Sequence, residues 1–142
     1  MIEQKITYTL DQIDTAVDML YAYMASCHIM TFTGPLGAGK TTIIRELLRR
    51  CGIKGLITSP TFTYVNVYTN DQGQILYHFD LYRIQSLDDF AHAGFDEYLY
   101  QSNSRCFIEW PAIIEPLLGA HVCRVTIDYD GSDARTMLVQ LD

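Results

Sequence analysis

Residues 34–41 read Gly34-Pro35-Leu36-Gly37-Ala38-Gly39-Lys40-Thr41, a stretch that fits G-x-x-x-x-G-K-[ST] at every fixed position. An apolar run, HIMTFT over 28–33, leads into it, and residues 40–50 lead out with a helical pattern stopped by Gly52. A buried strand, a glycine turn and a helix, in that order, make a cradle for phosphate. The glycines let successive backbone N–H groups turn inward around an anion. The helix that follows begins with unpaired N–H groups at its positive dipole end. The pattern therefore assigns Gly34, Leu36, Gly37, Ala38, Gly39, Lys40, Thr41 and Thr42 to the phosphates of a nucleotide. Within that set Lys40 reaches the β- and γ-phosphates, and the Thr41 hydroxyl sits on Mg²⁺. The Lys40 side chain is expected to be largely solvent-accessible before a nucleotide binds.

Such a site also needs an acid for the metal and a group to orient the attacking nucleophile. Two acids end apolar strand-like runs: Asp80 after ILYHF, and Glu109 after CFI. Each falls at a strand's carboxyl end, where ligands of open α/β sheets bind. Asp80 and Glu109 are thus both candidate Mg²⁺ ligands and both candidate catalytic acids beside Lys40. They divide the tasks of holding the metal and polarising water in either assignment. Thr61 lies in the hydroxyl-rich stretch TSPTFT over 58–63, which reads either as a loop closing over the γ-phosphate or as a proline turn into a strand. Arg83 suits phosphate neutralisation or a structural ion pair equally. No N-K-x-D stretch is present, so ATP is the default nucleotide. Trp110 follows Glu109 directly, and strand alternation predicts that it points to the opposite side of the sheet.

Working outward, residues 6–9 read as a short strand. Ile13, Ala16, Val17, Leu20, Tyr21 and Met24 form one apolar helix face entered through Asp11. Residues 62–68 and 75–79 read as a hairpin across the turn 69–73. Ser86 opens a short helix, Gly94 interrupts it, and 95–100 form a second helical piece. Pro111 starts a short helix through Leu118. Residues 122–129 and 136–141 close the chain as another hairpin. The pattern is α/β with mixed strand directions.

The chain has 142 residues, 49% apolar and 19% charged, which suits one globular domain over 1–142 and argues against wholesale disorder. Net charge is −7, with six basic and five acidic residues in 1–54 but four basic and twelve acidic in 55–142. An acidic chain disfavours direct binding along a phosphate backbone, so any nucleic-acid role is indirect. No apolar run approaches the ~20 residues of a membrane span, and the first residues lack a signal peptide's pattern, so a cytoplasmic location is expected. The four cysteines, Cys27, Cys51, Cys106 and Cys123, form no C-x-x-C pair and read as reduced and mostly buried. Arg45, Arg49, Arg50 and Lys54 make a basic run on or after the phosphate-loop helix, read as a solvated face or as a contact for an acidic partner or tRNA.

Five stretches in series, GPLGAGKTT at 34–42, SPTFTYVNVY at 59–68, YHFDLYRI at 77–84, GFDEYL at 94–99 and IEWP at 108–111, resemble the TsaE (YjeE) family. The resemblance runs through most of the chain. It implies an α/β fold of the P-loop NTPase type, with a central parallel sheet flanked by antiparallel strands and hairpins and helices on the faces. It implies binding of ATP and Mg²⁺, with weak hydrolysis by a protein monomeric on its own. It further implies association with the TsaB and TsaD proteins, which transfer threonylcarbamoyl to adenosine 37 of tRNA, while this chain would reset or drive that complex. In the family pattern Thr41 and Glu109 match the Mg²⁺ ligands, Asp80 matches the Walker B acid, and the turn Leu10–Gln12, with Asp11 and Gln12, helps enclose the adenine. Two positions depart from the pattern: Pro35 stands where the family often has Asp, and Ala112 where it often has Glu. A small-molecule kinase is the rival reading. It needs a mobile, arginine-rich lid, and only Arg83, Arg105, Arg124 and Arg135 lie beyond residue 54.

Overall fold

The computed structural model describes residues 1–142. Its seven strands are β1 (Ile2–Thr9), β2 (Ile29–Thr33), β3 (Val65–Thr69), β4 (Ile75–Asp80), β5 (Ser104–Glu109), β6 (Val122–Asp130) and β7 (Ala134–Leu141). They form one sheet in the order β1-β7-β6-β2-β5-β4-β3. The central four, β6-β2-β5-β4, are mutually parallel, while β3 and the β7–β1 pair add antiparallel edges. This is the expected α/β architecture, with a parallel core flanked by hairpins.

Helices cover both faces. On one side α1 (Ile13–Tyr23) and α2 (Lys40–Arg50) bury Ala16, Val17, Leu20, Ile43, Ile44, Leu47 and Leu48 against Met30 and Phe32 of β2, Phe107 of β5 and alternate residues of β6 and β7. On the other, α3 (Leu87–His92) and 3-10 turns at Phe95–Tyr98 and Pro111–Leu117 pack on Tyr77, Phe79, Cys106 and Ile108. The period-2 geometry of strands sorts adjacent residues of β4 and β5 onto opposite faces. No helix is long and apolar enough to cross a membrane.

Several strand boundaries differ from the sequence reading. β1 starts at Ile2 rather than Ile6, because it is an edge strand whose first residues are exposed and carry no apolar alternation. The strand expected from Phe62 starts at Val65, because the chain first turns from Pro60, whose carbonyl accepts the Tyr64 N–H at 2.9 Å, with Tyr64 at φ 67°. β7 starts at Ala134, two residues earlier than expected, paired with Asp130.

The link from β2 to α2 depends on a close approach. A side-chain carbon at Gly34 would sit well under 3.0 Å from the main-chain carbonyl of Ile127 in β6, a contact that only a backbone shift relieves. Gly34→Ala is therefore expected to destabilise the fold by about 1–3 kcal/mol or more, as overpacking does. A urea titration should show a lower midpoint at unchanged slope, and an unaltered midpoint would contradict the close approach.

Candidate functional site

The carboxyl ends of β2, β4 and β5 meet the start of α2. The strand alternation that buries Phe79 and Ile108 under α3 turns His78, Asp80 and Glu109 toward α2, and Asp80 and Glu109 are direct neighbours in the β4–β5 register. Gly39, at φ 104°, caps α2 in a left-handed conformation that glycine takes without strain. The first helical bond runs from the Ile43 N–H to the Gly39 carbonyl, so the amides of Lys40, Thr41 and Thr42 lie ahead of it.

Thr41 and Glu109, 68 residues apart in sequence, come into contact. The Thr41 hydroxyl lies 2.8 Å from Glu109 Oε1 and 3.1 Å from Oε2. On the far side, His78 Nε2 lies 2.7 Å from Glu109 Oε2. Glu109 and His78 are 3% and 1% exposed. Asp80 is also buried, and its Oδ1 accepts the Tyr82 N–H at 3.1 Å. Burial pushes the Asp80 carboxyl above its ordinary pKa and the nearby Glu109 charge adds to this, opposed by the Tyr82 amide, His78 and Lys40.

Lys40 corrects an expectation. It is 4% exposed rather than solvent-accessible. Its ammonium donates to the carbonyls of Gly34 and, at 3.1 Å, Pro35, and stands 4.0 Å from the centre of the Trp110 ring. Burial lowers its pKa, while Glu109 and Asp80 pull it back up. Trp110 is the second correction. The strand stops at Glu109, and Trp110 adopts φ 58°, so alternation no longer applies. Its ring turns back to the side that holds Lys40 and packs against Tyr82 at 4.9 Å.

Two adjoining cavities share Gly37, Ala38, Gly39 and Thr42. One, of about 410 Å³, is walled by Leu36, Lys40, Thr41, Ser59, Thr61, Asp80, Tyr82, Arg83, Glu109 and Trp110. The Ser59 and Thr61 hydroxyls are 2.9 Å apart in its wall. The other, of about 830 Å³, is lined by Tyr8, Thr9, Leu10, Asp11 and Ile13 on one side and Ser132, Asp133 and Arg135 on the other. Two expected residues line neither cavity. Gln12 uses its side-chain oxygen to accept the Thr9 N–H at 3.0 Å, closing the turn before α1, and Gly34 holds Lys40 through its carbonyl. No sequence motif marks Ser132, Asp133, Arg135 or His78 as a site residue. The hairpin carries no motif, whereas His78 was legible as the position two before Asp80 on the same strand face.

Most arginines are committed elsewhere. Arg105 donates to the carbonyls of Met24 and Cys27, Arg124 pairs with Glu115 and Asp142, and Arg135 donates to Ala38 and Ala134. In the basic run, Arg49 donates to the Ile53 carbonyl, Arg50 pairs with Asp14 and Asp18, and Lys54 with Asp71. Arg83 makes no ion pair; its guanidinium lies 4.9 Å from the Phe62 ring at the cavity mouth. The four cysteines are free thiols, three of them buried.

A threonine hydroxyl and two carboxylates are hard oxygen donors of the kind Mg²⁺ takes. No three His, Cys, Asp or Glu side chains converge to hold a metal by themselves.

A glycine turn between a parallel strand and a helix, with acids at the ends of the neighbouring strands, defines a P-loop-like α/β protein. Residues 7–137 match the family model "Threonylcarbamoyl adenosine biosynthesis protein TsaE", and the chain belongs to that family. It is 40% identical over 104 residues to the tRNA threonylcarbamoyladenosine biosynthesis protein TsaE of Haemophilus influenzae, covering 73% of this chain and 64% of that one. The protein of the same name from Bacillus subtilis is 37% identical over 107 residues, 75% of this chain and 65% of its own. The matched stretch thus spans slightly under two thirds of these relatives. The crystal structure of Bacillus subtilis YdiB superposes with a TM-score of 0.73 at 29% identity, covering 97% of this chain and 84% of that one.

Proposed function

We propose that this chain is one domain that binds ATP with Mg²⁺ across the two adjoining cavities and hydrolyses it, acting in the cytoplasm as an accessory subunit of the system that installs threonylcarbamoyl on adenosine 37 of tRNA. The observation that carries the nucleotide reading is the meeting of Thr41 and Glu109 beside Lys40 at the head of α2. The tRNA pathway comes from family membership. Association with TsaB and TsaD is the partnership that pathway implies.

Each residue's part follows from its place. The amides at the head of α2 and the loop 37–39 bind the phosphates, while Leu10, Asp11 and the hairpin 132–135 enclose the base and ribose. Lys40 supplies the cation nearest the β- and γ-phosphates. Thr41 and Glu109, with Asp80, would hold Mg²⁺, which neutralises charge that develops on the transferred phosphoryl group. Glu109 or Asp80 orients the attacking water, and the Trp110–Tyr82 wall limits the entry of other water. Of the two arginines that line the cavities, Arg135 is bound to the Ala38 and Ala134 carbonyls, which leaves Arg83 for the phosphates and supports slow hydrolysis alone and completion by partners. Leu36, Phe62 and Tyr82 rim the mouth at 62, 79 and 52% exposure, an apolar surface suited to such a contact. The same shortage of free arginines weighs against a small-molecule kinase.

Reconstitution tests this reading. Hydrolysis should be slow alone, rise with TsaB and TsaD, and release phosphate without a phosphorylated acceptor; a fast ATPase indifferent to both proteins would sink it. Thr41→Ala should weaken Mg²⁺-dependent nucleotide binding by more than metal-free binding, since the amides still hold the phosphates. Calorimetry with and without EDTA reads the difference, and equal losses would remove the metal role.

A further inference from the structure

His78 is completely enclosed yet polar, and the mechanism above does not use it. Its ring is 1% exposed and lines neither cavity. Its only side-chain hydrogen bond is the 2.7 Å contact to Glu109 Oε2. An ionised carboxylate only accepts, so Nε2 carries the hydrogen. The other nitrogen, Nδ1, is buried without a partner. A ring kept only for packing would be better served by an apolar side chain, because a buried nitrogen without a partner is destabilising. The contact to Glu109 is what the position gains in return.

We infer that His78 is a positioning residue that clamps Oε2 of Glu109 and so presents Oε1, with Thr41, as a fixed oxygen pair for a divalent cation. The Thr41 hydroxyl is nearer to Oε1, at 2.8 Å, than to Oε2, at 3.1 Å, and the two donors approach the carboxylate from different elements, β4 and α2. Without the His78 N–H the Glu109 side chain has one tether, to a hydroxyl that must itself turn its lone pair toward a cation. The carboxylate would then be free to rotate, and Oε2 would keep only the longer 3.1 Å contact to the Thr41 hydroxyl. This inference rests on the proposed nucleotide–metal site and deepens it.

The test reads metal affinity rather than turnover. The full chain is loaded with ADP, Mn²⁺ is titrated, and free Mn²⁺ is followed by its paramagnetic resonance signal. His78→Leu should raise the Mn²⁺ dissociation constant by ~10–100-fold, the usual loss for an outer partner of a metal ligand. His78→Gln, whose amide N–H reaches about as far as Nε2, should recover most of it. ADP affinity in EDTA should be the same in all three proteins. Unchanged Mn²⁺ affinity in His78→Leu would overturn the inference, as would equal losses in the leucine and glutamine variants. Should the leucine variant fail to fold, His78→Gln against His78→Asn decides: the shorter amide should lose affinity and the longer one keep it, and identical behaviour would overturn the assignment. A wild-type chain that binds ADP with no dependence on Mn²⁺ would remove the metal reading itself. Normal metal dependence with an indifferent His78→Leu removes only the role of His78.

Discussion

Glu109→Gln should leave metal-free nucleotide binding nearly intact and cut single-turnover hydrolysis by ~10²–10⁴-fold. The glutamine has the volume of the glutamate and fits the same network. Its oxygen can accept from His78 Nε2 in place of Oε2, and its amide can donate to the Thr41 hydroxyl, which then turns to accept. Both neighbours stay bonded, so the 3%-exposed site keeps its packing. What disappears is one unit of negative charge beside the cation and the reacting phosphoryl group. The loop amides, Lys40 and Thr41 remain to hold ATP. Asp80 is the internal comparison, since it lies next to Glu109 in the β4–β5 ladder but is bonded to the Tyr82 amide instead of to Thr41. Affinity and single-turnover rates for Glu109→Gln and Asp80→Asn should be measured side by side with TsaB and TsaD present. Normal hydrolysis by Glu109→Gln together with a dead Asp80→Asn would reverse the roles of the two acids.

The parts of this site that could be read from sequence are those in which residue type and spacing carry the physics directly. The glycine loop, the helix that follows it and the two strand-ending acids all sit where local pattern places them, because strand alternation and helix capping are local rules. The misreadings come from places where a local rule stops. Trp110 escapes strand alternation by one left-handed residue, and Phe62 and Thr63 fall in a turn rather than a strand because of Pro60 two residues earlier. The burial of Lys40 is not local at all: it arises from Trp110, 70 positions away, closing over the loop carbonyls that hold the ammonium. His78 shows the intermediate case. Its face was fixed by its place two residues before Asp80, but its partner depended on the parallel register that sets β4 beside β5. The hairpin residues 132–135 enter the larger cavity through β6–β7 pairing, which no short motif encodes.

Lys40→Ala should weaken ATP binding by ~10–100-fold, and its enclosure makes the choice of comparison variant matter. A charge-assisted hydrogen bond contributes about 1.5–3 kcal/mol, which is one to two decades in affinity. Alanine removes that charge but also removes a stem packed at 4% exposure, the bonds to Gly34 and Pro35, and the contact with the Trp110 face. Part of its effect would therefore be a looser loop rather than a missing phosphate partner. Lys40→Met narrows the difference, because it keeps an unbranched stem of similar length against Trp110 and loses only the ammonium with its bonds to the Gly34 and Pro35 carbonyls. If Lys40 acts on phosphate, the methionine variant should keep the wild-type thermal midpoint within a few degrees and still lose the same one to two decades in ATP affinity. AMP, which lacks the β- and γ-phosphates, should bind both variants nearly as it binds the wild type. Loss of AMP affinity to the same extent as ATP would place the effect in the loop's shape. Full ATP affinity in Lys40→Met would show that the residues 34–41 hold phosphate by their amides alone, and that the ammonium serves to tie the loop to Trp110.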